Sequence, residues 1–310
     1  MSNAPLFFTV VIPLYNKAAT IERAIKSVLN QTVQDFEIVV VNDGSTDKGL
    51  EIVSKINDPR IRLIAQENQG VSAARNRGIE EAKHELIAFL DADDEWLPEF
   101  LETISELVKA HNDCDVFATG YFQQFGNKKI RVLPIKMPDG FHGKIDNFFF
   151  LIEKFPTPIH SSAIAVRRTA ILSTGGFCLG VYSGEDLLMW ATLGAKYAIA
   201  YASVPMAIFN KPVGRPDMLL PRLPQKVDYV SNNLLKLLNT VTPPQIRPLK
   251  RFIAKWYRMR ATCYLRHGLK KQALYETSRS FAIYPFDLKP LLLYMLIFLP
   301  RRIWGAIIKR

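Results

Sequence analysis

The 310-residue chain has only three cysteines, Cys114, Cys178 and Cys263, far apart and odd in number. They make neither a disulfide framework nor a zinc spacing, and this usage points to a reducing compartment. Long apolar runs are also missing. The longest, Leu291 to Leu299, stops at Pro300, whereas a membrane-spanning helix needs about 20 residues. No basic n-region precedes the apolar stretch at 6–14, so it reads as a strand and not as a secretion signal. The first strand is not followed by G-x-G-x-x-G, which excludes the dinucleotide-binding fingerprint. No segment is of low complexity.

Acidic residues are scarce in one part only. From Lys211 to Arg310 there are 20 Lys and Arg against 4 Asp and Glu, and residues 1–210 hold 20 against 25. A net charge of +11 thus hides a basic C-terminal third and a mildly acidic remainder. Such a third suggests an anionic surface as partner. Large aliphatics interleave its basic residues, which favours acidic lipid over nucleic acid. After Pro300, Ile303, Trp304, Ile307 and Ile308 share one helical face, with Arg301, Arg302, Lys309 and Arg310 elsewhere. That pattern fits a helix lying on an anionic membrane, or one packed back on its own core.

The first 90 residues alternate between two periods. Short β-branched runs at 7–12, 36–41, 60–65 and 85–90 read as buried strands. Between them, 18–30, 45–56 and 71–82 carry apolar residues at helical spacing. Six-residue strands separated by helices are the mark of βαβ units and a mostly parallel sheet. Further strands are expected at 114–125, 161–168, 197–203 and 205–210, and helices from Pro98 to Ala110 and over 184–195. From about Leu219 the pattern is helical, at roughly 226–240, 245–267, 269–283 and 288–308. Two domains follow, 1–215 and a helical basic region 216–310.

In open α/β sheets ligands bind at the carboxyl ends of the strands. Four polar segments follow the first four strands and fall on one edge: 13–17, 42–47, 66–70 and 91–94. The last packs Asp91, Asp93 and Asp94 into four positions. Carboxylates so close repel one another unless a cation joins them. Mg²⁺ and Mn²⁺ bind through one or two carboxylates plus substrate phosphates. A solvated turn before Pro98 is the plainer alternative, and Asp43 at a second strand end weighs against it.

The stretches VVIPLYNK (10–17), VNDGSTD (41–47), NQGVSAARNRGI (68–79), LDADDEW (90–96), GGF (175–177) and GEDLLMW (184–190) carry a resemblance. In that order and separation the chain resembles the family 2 inverting glycosyltransferases of GT-A fold over residues 7–210. The resemblance implies a Rossmann-like sheet flanked by helices and a nucleotide-sugar donor, with UDP the expected carrier. It implies Mn²⁺ or Mg²⁺ as cofactor and a saccharide or lipid-linked acceptor. Pro13, Tyr15 and Asn16 would line the nucleotide pocket, and Asp43 would accept the base N3–H. Asn68, Gly70, Arg75 and Asn76 would lie near the ribose and diphosphate. Asp91 would approach the ribose or metal, Asp93 would bind the metal, and Asp94 would orient the loop. Asp186 would be the base, with Glu185 positioning the acceptor. Each has a plainer alternative: an Asx turn for Asp43, a surface ion pair for Arg75, helix capping for Glu185 and Asp186. His160, beside Ser161 and Ser162, is either a structural histidine or a neighbour of the acceptor.

The chain also departs from the family. Gln-x-x-Arg-Trp, the signature of processive synthases, is absent after Asp186, which implies transfer of one sugar at a time. Leu187 and Thr192 stand where relatives often have an aromatic and an arginine. Residues 208–215 contain no histidine to close the metal site, leaving Lys211 or Arg215 to face the diphosphate. The expected product is a β-linked glycan of a cell-surface polysaccharide or glycolipid. It would be made in the cytoplasm, at the cytoplasmic face of the membrane. Two other classes share some of these features: a nucleotidyltransferase, and a nucleotide-sugar-binding protein without catalysis.

Overall fold

The computed structural model describes residues 5–132, 137–145, 147–154, 159–211 and 222–299. The chain divides into two compact units, one of residues 1–148 and 154–213, the other of 149–153 and 214–310.

The first unit is built on one sheet. Strands β1 (Phe8–Leu14), β2 (Phe36–Asp43), β3 (Ile61–Gln66) and β4 (Leu86–Phe89) run parallel in the order β3-β2-β1-β4. They alternate with helices α1 (Ile21–Leu29), α2 (Gly49–Ser54) and α3 (Val71–Glu81). The first, second and fourth of these strands are β-branched and aromatic on both faces and are almost wholly buried, as strands covered by helices must be. Helix α1 buries Ile21, Ala24, Ile25 and Val28, the 3–4 spacing read from the sequence. Helix α3 comes so close to β1 that a Cβ on Gly78 would stand 2.3 Å from Val11 Cγ1.

Beyond β4 the sheet changes direction. Strand β9 (Ile164–Arg167) lies antiparallel between β4 and β6 (Val116–Phe125), and β10 (Ile199–Lys211) is parallel to β6. Short strands β5 (Glu95–Trp96), β7 (Lys128–Val132) and β8 (His142–Ile145) finish the sheet. Helices α4 (Phe100–Ala110), α5 (Phe148–Lys154), α6 (Arg168–Ser173) and α7 (Glu185–Lys196) complete the element order up to β10.

Three local readings are corrected. Helix α2 begins at Gly49, not at Ser45, because Ser45, Thr46 and Asp47 spend their side chains on the loop after β1. The expected strand at 161–168 opens as a 3-10 turn over Ser161–Ala163. The two short strands at 197–203 and 205–210 are one 13-residue strand, irregular around Pro205. Proline has no N–H to give the ladder, so the register slips there and the strand continues.

The second unit contains α8 (Tyr229–Leu237), α9 (Pro243–Arg266), α10 (Lys270–Ile283) and α11 (Lys289–Phe298). Asp228 caps α8 by accepting the Ser231 amide at 3.1 Å. Thr242 and Gln245 form a capping box ahead of α9, with Pro243 opening the helix. Arg260 lies buried between Glu276 at 2.8 Å and Asp228 at 3.3 Å, tying α9 to α10 and to the start of α8. The expected end of the last helix near 308, and the basic amphipathic face built on Trp304, lie outside the described residues. No helix among the described residues is long and apolar enough to cross a membrane.

Candidate active site

The loops after β1 and β2 are laced together. Asn16 sits at φ 51°, the only non-glycine residue in the left-handed region among those described. Its Oδ1 accepts the Thr46 amide at 2.8 Å, and its own amide donates to Ser45 Oγ at 3.1 Å. The Ala18 amide donates to Asp47 Oδ2 at 2.8 Å. Asparagine tolerates this backbone better than other side-chain-bearing residues. Pro13 pairs with Val41 across β1 and β2, and Tyr15 stands half exposed at the strand end.

Asp43, at the end of β2, is buried and organises the loop between β3 and α3. Oδ1 accepts Gln66 Nε2 at 2.7 Å and the Gln69 amide at 3.0 Å, and Oδ2 accepts the Gly70 amide at 2.8 Å. Asn68 Nδ2 donates to its carbonyl at 2.9 Å. An ionised carboxylate offers about four acceptor sites. Three are taken, so one more donor can be received.

The aspartates after β4 separate into two environments. Asp93 accepts Lys17 Nζ at 2.5 Å near the surface. Asp91 and Asp94 turn inward and meet His160, and ligand atoms of the three lie within 4.8 Å of one another. Ser162 holds this group: its Oγ donates to Asp94 Oδ2 at 2.5 Å and accepts the Asp91 amide at 3.1 Å. The Asn210 amide donates to Asp94 Oδ1 at 3.0 Å. The Ser162 amide donates to His160 Nδ1 at 3.2 Å.

Arg75 joins this group to α7. Its side chain is 3% exposed; Nη2 lies 2.7 Å from Asp91 Oδ1 and Nη1 lies 3.0 Å from Glu185 Oε1. The guanidinium also lies over the Phe177 ring, 5.2 Å from its centre. Asp186 accepts its neighbour Leu187's amide at 2.7 Å and Ser161 Oγ at 3.4 Å. Gly184, at φ 84°, turns the chain into α7 so that both acidic residues fall in the first turn, where the helix dipole favours them. Asn76 is used differently: its Nδ2 donates to the Phe177 carbonyl at 2.9 Å and its Oδ1 accepts the Phe177 amide at 2.7 Å. It latches the Gly-Gly-Phe turn to α3.

The charges of the site are unevenly balanced. Burial opposes ionisation of Asp91, yet Arg75 beside it prevails and holds the carboxyl below the usual range. Among the described residues no arginine or lysine is bonded to Asp94. Burial, then repulsion from Asp91, pushes its carboxyl well above the usual range. Burial and then Asp186 raise Glu185, and burial keeps His160 below its ordinary value. Lys211 is lowered by burial. Two adjacent carboxyls, one held low by Arg75 and the other pushed up by burial and by its neighbour, beside an imidazole, are a site that an added cation would relieve. Oxygen donors with one imidazole fit Mn²⁺ and are compatible with Mg²⁺.

The sequence pattern does not single out Ser162, Lys17 or Asn210, and it sets Asp94 below Asp93. Ser162 is 71 residues from Asp91, and nothing in its local pattern announces the contact. The available signal is the cluster His160-Ser161-Ser162, three polar residues ahead of a strand.

A mostly parallel sheet flanked by helices, with carboxylates gathered at its strand ends, defines an α/β class. The family model of glycosyl transferase family 2 matches residues 9–173, more than half of the chain, and the chain belongs to that family. An uncharacterized glycosyltransferase of Escherichia coli, YibD, is 42% identical over 118 residues, 37% of this chain and 34% of that protein. The chondroitin synthase of Pasteurella multocida is 34% identical over 168 residues, 45% of this chain and 17% of the synthase. The chain thus spans about a third or less of these relatives. Among solved structures, S. aureus TarS 1–349 in complex with UDP-GlcNAc superposes with a TM-score of 0.71 at 19% identity, over 93% of this chain and 84% of that one. The likeness establishes the GT-A fold: a central sheet flanked by helices, followed by C-terminal helices.

Proposed function

We propose that the chain moves one sugar at a time from a nucleoside diphosphate sugar, UDP-linked, to a hydroxyl of a saccharide or lipid-linked acceptor, with inversion at the anomeric carbon. The product belongs to a cell-surface polysaccharide or glycolipid. The observation that carries the reading is Arg75, a buried cation gripping the strand-end Asp91 on one side and the helix-start Glu185 on the other. It brings carboxylates suited to the leaving diphosphate and to the incoming hydroxyl into one constellation. That the TarS structure of like fold holds UDP-GlcNAc supports the choice of donor.

In this reading Pro13, Tyr15 and Asn16 line the nucleotide pocket, and Asp43 receives the uracil N3–H at its remaining acceptor site. Asn68 and Gly70 shape the wall near the ribose, with Asn76 supporting it through the Phe177 turn. Asp91, Asp94 and His160 would hold Mn²⁺ or Mg²⁺, and Asp93 is the further candidate, tied to Lys17. The ion, when bound, draws charge from the departing diphosphate oxygens as a Lewis acid. Asp186 takes the proton of the acceptor hydroxyl as its oxygen attacks the anomeric carbon from the face opposite the diphosphate. The C1–O bond to the diphosphate breaks as the new one forms, and the configuration inverts. Ser161 orients Asp186, and Glu185 positions the acceptor. A carboxylate on that face also favours the oxocarbenium character of the transition state.

We assign the reaction to the cytoplasm, at the inner face of a membrane, with 1–215 as the transferase domain and 216–310 as its basic helical region. Three free cysteines support a reducing compartment. The test is a panel of nucleotide sugars with Mn²⁺ or Mg²⁺, reading nucleoside diphosphate release. Release from a UDP-sugar that needs the ion, and that falls about a thousandfold in Asp186→Asn with UDP binding nearly unchanged, is the expected result. Equal release by Asp186→Asn would remove Asp186 from the role of base, and binding without release from any nucleotide sugar would leave a nucleotide-sugar-binding protein without catalysis.

A further inference from the structure

Helix α11 is apolar on two sides. Pro290, Leu293, Leu296 and Ile297 are buried. The last three pack with Ala261, Tyr264 and Leu265 of α9 and Ala273 of α10. The opposite side should be polar if water covers it, and it is not. Leu288, Leu291, Leu292, Met295 and Phe298 are 75, 44, 52, 60 and 73% exposed, and Phe286 just ahead of them is 83% exposed. At about 100° per residue those five positions occupy about 120° of the helix circumference. Scattered exposed apolar residues are ordinary, but a continuous stripe marks a surface that meets something.

Charge names what it meets. From Leu288 to the end, the chain has Lys289, Arg301, Arg302, Lys309 and Arg310 and no acidic residue. The carboxylate just before, Asp287, is neutralised by Arg258 at 2.7 Å. The α11 of a second copy carries Lys289 and no acidic residue, so it offers no counter-charge. An anionic bilayer instead offers apolar cover and opposite charge together. Ten residues of helix measure about 15 Å, half of a hydrocarbon core of about 30 Å, so α11 is too short to span and suited to lie flat.

We infer that the outer face of α11, with Phe286 and Leu288, seats in the boundary between headgroups and acyl chains of an anionic bilayer. This deepens the membrane-side location given above and rests on it. Vesicle binding is read without sugar transfer, so either reading can fail alone.

The test is flotation of the full chain with phosphatidylcholine vesicles and with vesicles containing about 30 mol% phosphatidylglycerol. The chain should float with the anionic vesicles and at least about tenfold less with the neutral ones. Leu292→Ser/Met295→Ser/Phe298→Ser changes only exposed positions. It should weaken anionic binding about tenfold or more, with the unfolding midpoint held. As an independent check, Phe298→Trp should gain fluorescence quenching by brominated lipid over the wild-type chain. Failure of the wild type to float, a triple variant that floats as well as wild type, or Phe298→Trp fluorescence indifferent to brominated lipid overturns the inference. So does a wild-type dimer that the triple variant converts to monomer while neither floats, since the stripe is then a contact between copies.

Discussion

Arg75 Nη2 donates to Asp91 Oδ1 across 2.7 Å, and the guanidinium that makes this bond is almost sealed from water. A buried arginine is tolerable only with its charge answered, and here Asp91 and Glu185 answer it together. Replacement by methionine leaves two part-buried carboxyls without their cation. Arg75→Met is expected to cost about 3–5 kcal/mol in denaturant unfolding. Arg75→Lys keeps the charge but not the fork, and should lose transfer activity while recovering part of that stability.

The strand-end aspartates can be told apart by binding. Asp94 faces Asp91 and His160, whereas Asp93 faces Lys17. Calorimetry of UDP in the presence of Mn²⁺ should show Asp94→Asn weakening the metal-dependent part of the affinity by about 10–100-fold, and Asp93→Ala by less. A larger loss at Asp93 would return the metal to the residue that the motif alone favours.

Much of this is legible in the residues themselves. The β-branched runs at 7–12, 36–41 and 85–90 place three strands because a sheet covered on both faces demands apolar residues at every position. The spacing of Ile21, Ala24, Ile25 and Val28 places α1 for the same reason. The antiparallel insertion of β9 between β4 and β6 is not legible, since a strand's apolar pattern does not state its direction. Nor is the grouping of Asp94 with His160. It depends on Ser162 arriving from 68 residues away to meet Asp94, and local periodicity holds no record of such contacts. The motif around Asn76 suggests a place near the diphosphate, and it holds no record of the two bonds by which its amide oxygen and nitrogen meet Phe177.

The closeness of α3 to β1 gives a stability prediction free of the site chemistry. An alanine at position 78 would drive its Cβ to 2.3 Å from Val11 Cγ1, in the packed centre of the sheet. Val11 is fully buried and has nowhere to move. Gly78→Ala is expected to destabilise by about 1–3 kcal/mol, and Gly78→Ala/Val11→Ala to recover part of the loss. A neutral single variant in thermal unfolding would contradict the packing described.

Glu37 supplies a pH dependence. Burial opposes its ionisation, but the Lys83 amide at 2.7 Å, Thr9 Oγ1 at 2.8 Å and Arg62 at 3.2 Å outweigh burial and hold its carboxyl below the ordinary 4.5. A folded-state value below the unfolded one stabilises the fold above pH 4.5. That contribution disappears as pH falls from 4.5 through the lower folded value. Glu37→Gln should therefore be less stable than wild type at pH 7 by about 1–3 kcal/mol. The gap should close as the pH is taken below about 4; a gap independent of pH contradicts the assignment.

The most direct measurement is an anomalous difference map from crystals grown with UDP and Mn²⁺. A manganese peak bounded by Asp91, Asp94 and His160 is expected, with a uracil ring within hydrogen-bond reach of Asp43 and Asp186 facing the open side of the diphosphate. A nucleotide bound away from Asp43, or a manganese peak that touches none of these three residues, would contradict it.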